Sequence, residues 1–408
     1  MAAGRRDPWP VAALLLLLTG SGLAGAAQAG SARNPGKAAA AAKAVKATPT
    51  PTYQIEALTT AGMGAMAMGG AAVLRMMLGG APAPGTTSNR TLDLRLDSPR
   101  VVPDPRAEHR IPAGLAMGEA LALQSISFER GEPPTLPQEP PSEGKLRMLL
   151  FRGCAETAGG DQPEITTLTG LTAAQRQQAM AGLKALAALP GAVDAAGTSG
   201  RWPSTNESPP VPPQGSLVGS HAVVSTYAPE IRFQVSASHD FLAPVALNSE
   251  TAAGGAQRLS WQVVPTALGY QATASGAGKQ EGDIVIWTSS EAPRDDSWVP
   301  GDLRAPEAAR LVQRKVLLPP ERTSCAISAQ AMAAMQGGTV VTFTAYGDTL
   351  LLASPKGEPA WRLSLERRST ATRLVGAALG SPGRGAENGE PGPEQPKPRR
   401  GFNPFSLF

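Results

Sequence analysis

The spacing of apolar and polar residues changes several times along the chain and predicts its secondary structure. At residues 92–97, leucines alternate with charged side chains, and this period of two is typical of a strand with one buried face. Five apolar residues among the seven at 145–151 predict a buried strand. Apolar residues at helical spacing follow Thr172, a good N-cap residue, and Pro190 ends that segment. The patterns in the first half of the chain therefore predict strands and one helix.

The second half of the chain is denser in short β-type runs. Gly, Pro, Ser and Asn residues separate runs at 223–224, 231–235, 259–264, 270–274 and 284–287. Short strands at this regular spacing predict a β-sandwich.

Further along the chain, two short helices and a hairpin are expected. One helix begins near Pro306 and the other is capped by Ser328. Residues 340–346 and 349–353 are rich in β-branched, aromatic and other apolar residues and flank Gly347-Asp348, which predicts a hairpin. From about Ser369 onwards the pattern is lost.

These patterns divide the chain into five parts and predict a mainly β fold class. A sandwich module and a second β-rich module with a few short helices are expected between disordered termini. The parts are an export signal at 1–29, a flexible Ala/Gly/Met-rich leader at 30–87, a β-rich module with one helix at 88–215, a sandwich-like module at 216–368 and a disordered Pro/Gly tail at 369–408.

The first 29 residues have the three parts of a secretory signal peptide. Arg5 and Arg6 are followed by an apolar run at 11–18 and then by Ala27-Gln28-Ala29, which predicts Sec export and cleavage after Ala29. The alternative is a membrane anchor, but a span needs about 20 strongly apolar residues, and the run at 11–18 is much shorter than that. The expected location is the periplasm, the outer membrane or the medium.

Composition narrows the function classes further. A net charge of +4 is too small for a nucleic-acid-binding surface, and abundant Ala, Gly and Pro are typical of a GC-rich bacterial genome. Two cysteines are present, Cys154 and Cys325. An oxidising compartment favours a disulfide between them, and two separately buried thiols are the alternative.

Two stretches resemble known groups of proteins. The sequence LSWQVVP at 259–265 with ALGY at 267–270 resembles the region of fibronectin type III domains that places a core Trp and a core Tyr on facing sheets. This resemblance implies an Ig/fibronectin III-like β-sandwich. Gly153-Cys154, SLVG at 216–219, HDF at 239–241 and WTSS at 287–290 look like a group of exported proteobacterial proteins of unknown function, so this second resemblance implies no activity.

His239 is the candidate catalytic residue. His239-Asp240 invites a hydrolase with Ser220 or a nearby serine as nucleophile. However, adjacent strand residues point to opposite faces, so Asp240 is poorly placed to orient His239. No Gly-x-Ser-x-Gly elbow occurs either. An envelope hydrolase using His239 therefore remains the alternative function, and no catalytic residue is assigned.

Metal and cofactor chemistry has one candidate segment. The Met63–Met77 tract is rich in thioethers, which are soft ligands suited to Cu(I). Methionine is also a common apolar filler, and no His or Cys accompanies the tract. Copper binding is thus a further alternative, while no cofactor and no metal site are assigned.

The C-terminus is the candidate partner-binding segment. Basic and aromatic side chains on a linker are typical of a docking peptide, although a frayed tail is the alternative. The sequence therefore indicates an exported, non-enzymatic envelope protein that binds a protein or, through peripheral membrane contact, an envelope surface. The residues expected to bind are Arg399, Arg400, Phe402, Phe405 and Phe408.

Overall fold

A computed structural model describes most of the central part of the chain. The described residues are 50–62, 88–128, 146–168, 196–203, 209–280, 282–293 and 299–376. Strands predominate in these ranges and helices are few and short, so the prediction of a mainly β fold class is confirmed. The helix expected after Thr172 lies outside the described residues.

The strands are numbered in chain order. They are β1 (Thr52–Gly62), β2 (Ser88–Ser98), β3 (Ala107–Arg110), β4 (Ala120–Phe128), β5 (Leu146–Arg152), β6 (Glu164–Leu168), β7 (Gly197–Trp202), β8 (Gly219–Ser225), β9 (Ile231–Val235), β10 (Asn248–Thr251), β11 (Gln257–Ser260), β12 (Ala267–Ala277), β13 (Asp283–Thr288), β14 (Ser324–Ile327), β15 (Gln336–Gly347), β16 (Leu350–Ala353) and β17 (Arg362–Val375).

Two α-helices and two 3₁₀ turns complete the described secondary structure. Helix α1 (Ala305–Gln313) has a proline in its first turn, and the Ser328 hydroxyl caps α2 (Ala329–Ala334) by accepting from the Ala331 amide. Both helices begin where the sequence predicts. The 3₁₀ turns are Ala113–Leu115 and Ala237–His239.

Among the described strands, hydrogen bonding forms one large sheet and one small sheet. The large sheet has the order β6-β5-β13-β12-β15-β17-β1-β2-β7-β4-β3-β8-β9, with β16 beside β17, and the small sheet is β10-β11-β14. β5 pairs with β13, and β3 pairs with β8, so strands from both predicted modules share the large sheet. The sheet is therefore continuous across the boundary predicted at residue 215.

The leader predicted at 30–87 contains a central strand of the large sheet. β1 pairs antiparallel with β2 and parallel with β17, and its odd-numbered residues from Tyr53 to Ala61 are buried. The flexible-leader prediction is wrong for Thr52–Gly62. Its alternation was hidden because alanine and threonine fill several of the inward positions.

The tail predicted to begin at 369 is also too long. β17 continues to Val375, and Ser369 and Ala371 occupy buried positions of the same alternation. Small and hydroxyl side chains at inward positions give little hydropathy contrast. The disordered-tail prediction is therefore wrong for residues 369–375.

The hairpin predicted across Gly347-Asp348 does not form. β15 pairs with residues 368–375 of β17, and β16 pairs with residues 362–365 of the same strand. The two strands therefore lie end to end along one edge of β17. Gly347 suits this break because a Cβ there would meet the Arg367 guanidinium at 3.0 Å.

The first core forms because the large sheet curls back on itself. In the strand order, β1 and β3 are four steps apart, which is about 19 Å in a flat sheet. Nevertheless, the Tyr53 hydroxyl on β1 lies 2.9 Å from His109 on β3. The curl occurs at β4, whose residues 120–123 pair with β3 while residues 124–128 pair with β7. Strands β3, β8 and β9 therefore face β1, β2 and β17.

The second core lies between the large sheet and the small sheet. Trp261, which follows β11, packs edge-on against Tyr270 on β12 with ring centroids 5.8 Å apart, and both rings are buried. Cys154, just after β5, is bonded to Cys325 on β14, which confirms the predicted disulfide. The Trp and Tyr thus meet as expected, whereas the wider fibronectin type III resemblance remains a prediction.

Candidate functional site

The inward face of the long strands β1 and β17 is polar where the two cores meet. Arg367 is the central group, because its side chain is 2% exposed and its guanidinium donates to the backbone carbonyls of Asp240 and Asp348. The Thr59 hydroxyl donates to the Leu242 carbonyl beside it. Burial lowers the pKa of Arg367. This buried cation therefore holds the segment after β9 against the β15–β16 connection.

His239 lies at this junction with a serine side and a carboxylate side. Its Nδ1 is 3.2 Å from the Ser236 hydroxyl and 3.1 Å from the Ser238 hydroxyl. Its Nε2 lies 3.8 Å from Oδ2 of Asp348. Burial and the Arg367 charge lower the pKa of His239, and Asp348 opposes them. The neutral imidazole is therefore favoured at neutral pH.

The neighbouring Asp240 and the candidate nucleophile Ser220 both bond to groups other than His239. The Asp240 carboxylate accepts from the Ser216 hydroxyl at 2.6 Å and from the Leu217 amide at 2.8 Å. The Ser220 hydroxyl donates to Gln234 at 2.7 Å. The hydroxyls beside His239 are thus those of the nearby serines Ser236 and Ser238. In place of Asp240, the fold supplies Asp348, which is 109 positions away in the chain and carries no local sequence signal.

The other two histidines form a buried polar chain in the first core. Nε2 of His109 lies 2.9 Å from Nδ1 of His221, and Nε2 of His221 lies 2.7 Å from the Leu217 carbonyl. The Tyr53 hydroxyl contacts Nδ1 of His109 at 2.9 Å. Burial, followed by the neighbouring His221, lowers the pKa of His109 to about 3, and burial also lowers the pKa of His221. Both imidazoles are neutral at pH 7.

A pair of carboxyl groups lies on the opposite face of β1 and β17. Glu56 and Glu366 are directly opposite in the parallel pairing, and the Arg368 guanidinium is 3.5 Å from each. Burial, followed by the charge of Glu56, raises the pKa of Glu366 to about 7. The covering chain approaches so closely that a Cβ on Gly301 would lie 3.1 Å from Oε2 of Glu366. Glu366 is thus partly protonated at neutral pH.

An open polar cleft of about 400 Å³ lies beside the disulfide. The Gln162 amide bonds both the amide and the carbonyl of Arg152, which fixes one wall. The Arg152 guanidinium lies 3.5 Å from the Asp161 carboxylate, and Lys315 pairs with Glu291 on the other side. Opposite charges thus balance within this cleft.

Within the described ranges, no three His, Cys, Asp or Glu side chains are grouped so that they would hold a metal ion. In the same ranges, no helix combines the length and apolarity that crossing a bilayer requires. The Met63–Met77 tract lies outside the described residues. So do the predicted docking residues, which are Arg399, Arg400, Phe402, Phe405 and Phe408.

Comparison with known proteins found no matching family model, no similar curated protein and no similar solved structure.

Replacing Glu366 with Gln should change how stability depends on pH. The raised pKa means that the folded state holds a proton that the unfolded state has lost, so Glu366 stabilises below about pH 4.5 and this effect disappears as pH rises through about 7. Glu366→Gln should therefore stabilise the protein by about 2–3 kcal/mol more at pH 8 than at pH 4.5. Urea unfolding at both pH values measures this difference, and the exposed Glu358→Gln is the control. Equal effects of Glu366→Gln at both pH values would contradict the assignment.

Proposed function

We propose that this chain is an exported, non-enzymatic envelope protein that binds a protein partner or an envelope surface. The Cys154–Cys325 disulfide carries the proposal, since it joins residues 171 positions apart and pins the small sheet onto the large one. Disulfides persist in oxidising compartments and are rare in the cytosol. The signal-peptide pattern that ends at Ala29 agrees with this compartment.

The proposed binding element is the basic-aromatic segment at the C-terminus. Arg399 and Arg400 would be attracted to an anionic envelope surface, and Phe402, Phe405 and Phe408 would then insert or dock. The buried histidines support a scaffold role for the β-sheet core, because His109 and His221 are used in interior hydrogen bonds. Recognition is thereby assigned to the segment and rigidity to the sheets.

Export predicts a specific covalent state of the mature protein. Intact-mass spectrometry of protein from the periplasm or the medium should show a chain beginning at Gly30, with a mass lower by two hydrogens because Cys154 and Cys325 are bonded. Mass analysis of the cytosolic fraction is the control. Soluble cytosolic protein that retains Met1 and has two free thiols would disprove export.

Deleting residues 397–408 should release the protein from its partner without unfolding it. The deletion lies beyond β17, so the thermal midpoint should stay unchanged while pull-down from envelope extracts is lost. A matched variant with Phe402, Phe405 and Phe408 replaced by Ser separates aromatic insertion from basic attraction. Undiminished pull-down and localisation after the deletion would exclude the docking segment.

The surroundings of His239 favour a second candidate function, an envelope hydrolase. In this alternative, the Ser238 Oγ attacks an ester carbonyl carbon, His239 Nδ1 takes the hydroxyl proton, and Asp348 orients the imidazole from its Nε2 side. The alkoxide leaves with the proton returned by His239, and water then hydrolyses the acyl-serine. The 3.8 Å separation at Asp348 would have to shorten for this role.

Alanine substitution distinguishes the two functions. Under the first proposal, His239→Ala should retain partner binding, and p-nitrophenyl ester turnover should match buffer for wild type and variant alike. Ser220→Ala serves as the control because that hydroxyl bonds Gln234 instead of His239. Turnover that disappears in both Ser238→Ala and His239→Ala, but persists in Ser220→Ala, would establish the hydrolase and refute the non-enzymatic proposal.

A further inference from the structure

A polar chain crosses the otherwise apolar first core. It runs from Tyr53 on β1 through His109 on β3 and His221 on β8 to the Leu217 carbonyl just before β8. Phe233 on β9 stacks on His221 with ring centroids 4.8 Å apart and an interplanar angle of 11°. All five residues are buried. This hydrogen-bonded chain therefore links the central strand β1 to β3 and β8, at the end of the sheet that curls back.

The hydrogen positions in this chain follow from its last acceptor. A carbonyl oxygen can only accept, so Nε2–H of His221 donates to Leu217 and Nδ1 of His221 carries a lone pair. Nε2–H of His109 therefore donates to that lone pair, which leaves Nδ1 of His109 to accept from the Tyr53 hydroxyl. Every ring nitrogen is engaged once. The chain has no free nitrogen for an additional proton.

A further proton on either imidazole would cost the chain its Tyr53 donor. Protonated His221 would point Nδ1–H at His109 across 2.9 Å, so His109 would have to carry its own proton on Nδ1, facing the Tyr53 hydroxyl. Protonated His109 would similarly point Nδ1–H at the Tyr53 hydroxyl, which would have to rotate. In both cases a cation would be buried among apolar side chains, which is costly without a partner.

The neighbouring charged groups would do little to stabilise a protonated imidazole at His109 or His221. Tyr53 and Tyr227 are the titratable groups on the core side of β1 and of the turn after β8, and burial keeps both phenols protonated. Glu108 and Arg110 flank His109 on β3 and bond each other on its outer side, as Arg232 on β9 does with Glu230. On β2, Arg95 and Asp97 form their own pair opposite the buried leucines.

Near Leu217, where the hydrogen-bonded chain ends, the adjacent segments hold the Asp240 carboxylate and the Arg90 guanidinium. Asp240 accepts from the Leu217 amide, so its carboxylate is separated from His221 by the Leu217 peptide. Arg90 on β2 donates to the carbonyls of Pro213 and Gly215 and lies over the Phe241 ring. Neither group contacts an imidazole of the pair directly.

We propose that the Tyr53–His109–His221–Leu217 chain is an acid-sensitive lock. At neutral pH it holds β3 and β8 against β1 across the core, and protonation of the histidine pair in acid releases the β3–β8–β9 end of the sheet. We assign the movement to this end because, among the described strands, β9 is the last in the order and β3 pairs with the rest of the large sheet through β4.

The direction of the pH dependence follows from proton binding. The pKa of His109 is lowered to about 3 and that of His221 is lowered, whereas an open imidazole titrates near pH 6.5. Opening therefore takes up protons as pH falls below about 6.5. The lock is fully stabilising above this pH and weakens towards pH 3. Each histidine that takes up a proton shifts the opening equilibrium by about tenfold per pH unit.

Hydrogen exchange measured by NMR tests the lock strand by strand. Between pH 6.5 and 4.5, after correction for intrinsic rates, protection of β3, β8 and β9 amides should fall by at least about tenfold per pH unit. Protection of β12 and β15 amides should change far less. His239→Gln, which removes the third histidine, should leave the pH dependence intact. Uniform loss of protection in all these strands would overturn the proposal.

Removing the titrating groups should abolish the local effect. The triple variant Tyr53→Phe, His109→Leu and His221→Leu replaces the chain with apolar groups, so its β3 and β8 protection should be independent of pH over this range. An unchanged pH dependence in the triple variant would refute the lock. If that variant does not fold, ¹⁵N spectra of wild-type imidazoles decide. Both rings should remain neutral Nε2–H tautomers at pH 6, and titration near pH 6.5 without loss of β8 protection would contradict the proposal.

Discussion

The parallel pairing of β1 with β17 is the constraint on which the rest of the structure depends. It joins residues about 310 positions apart in the described chain, in register from Thr52↔Arg362 to Gly62↔Thr372. The first halves of these strands line one core and the second halves line the other, so neither core is complete until both strands are in place. Because the pairing is so distant in sequence, it carries a high loop-closure entropy, which slows folding. The disulfide has a related role, since it fixes the small sheet that covers the second core.

Strong hydropathy contrast made part of this fold predictable. Leucines alternating with charges identified β2, and the dense apolar residues from Met148 to Phe151 identified β5, because both patterns reflect burial directly. β1 and the end of β17 were missed because Ala57, Thr59 and Ser369 occupy inward positions with little contrast. The break between β15 and β16 was mistaken for a hairpin because sequence shows the turn residues but not the common partner strand.

The candidate sites were less predictable because each is assembled from distant segments. His239 stood out in the sequence as one of three histidines, yet its carboxylate neighbour Asp348 comes from another connection. The abnormal pKa of Glu366 depends on Glu56 across the parallel pairing and on the chain at Gly301. A histidine count likewise gave no sign that His109 and His221 would bond each other. The cysteine pair was the exception. With two cysteines in the sequence and an oxidising compartment expected, a single disulfide could be predicted without knowing the fold.

Two titrating features with opposite signs define a stability window for the described sheets. The histidine pair stabilises the fold fully above about pH 6.5, because its proton-binding sites are occupied by hydrogen bonds in the native state. Glu366 acts in the other direction, since its burial favours the neutral acid and its contribution disappears as pH rises through about 7. The features lie on opposite faces of the sheet and share no contact, so their effects should add. The sheet is thereby held most firmly just below neutrality, because the histidine contribution is complete only above about pH 6.5 while the Glu366 contribution is lost between about pH 4.5 and 7.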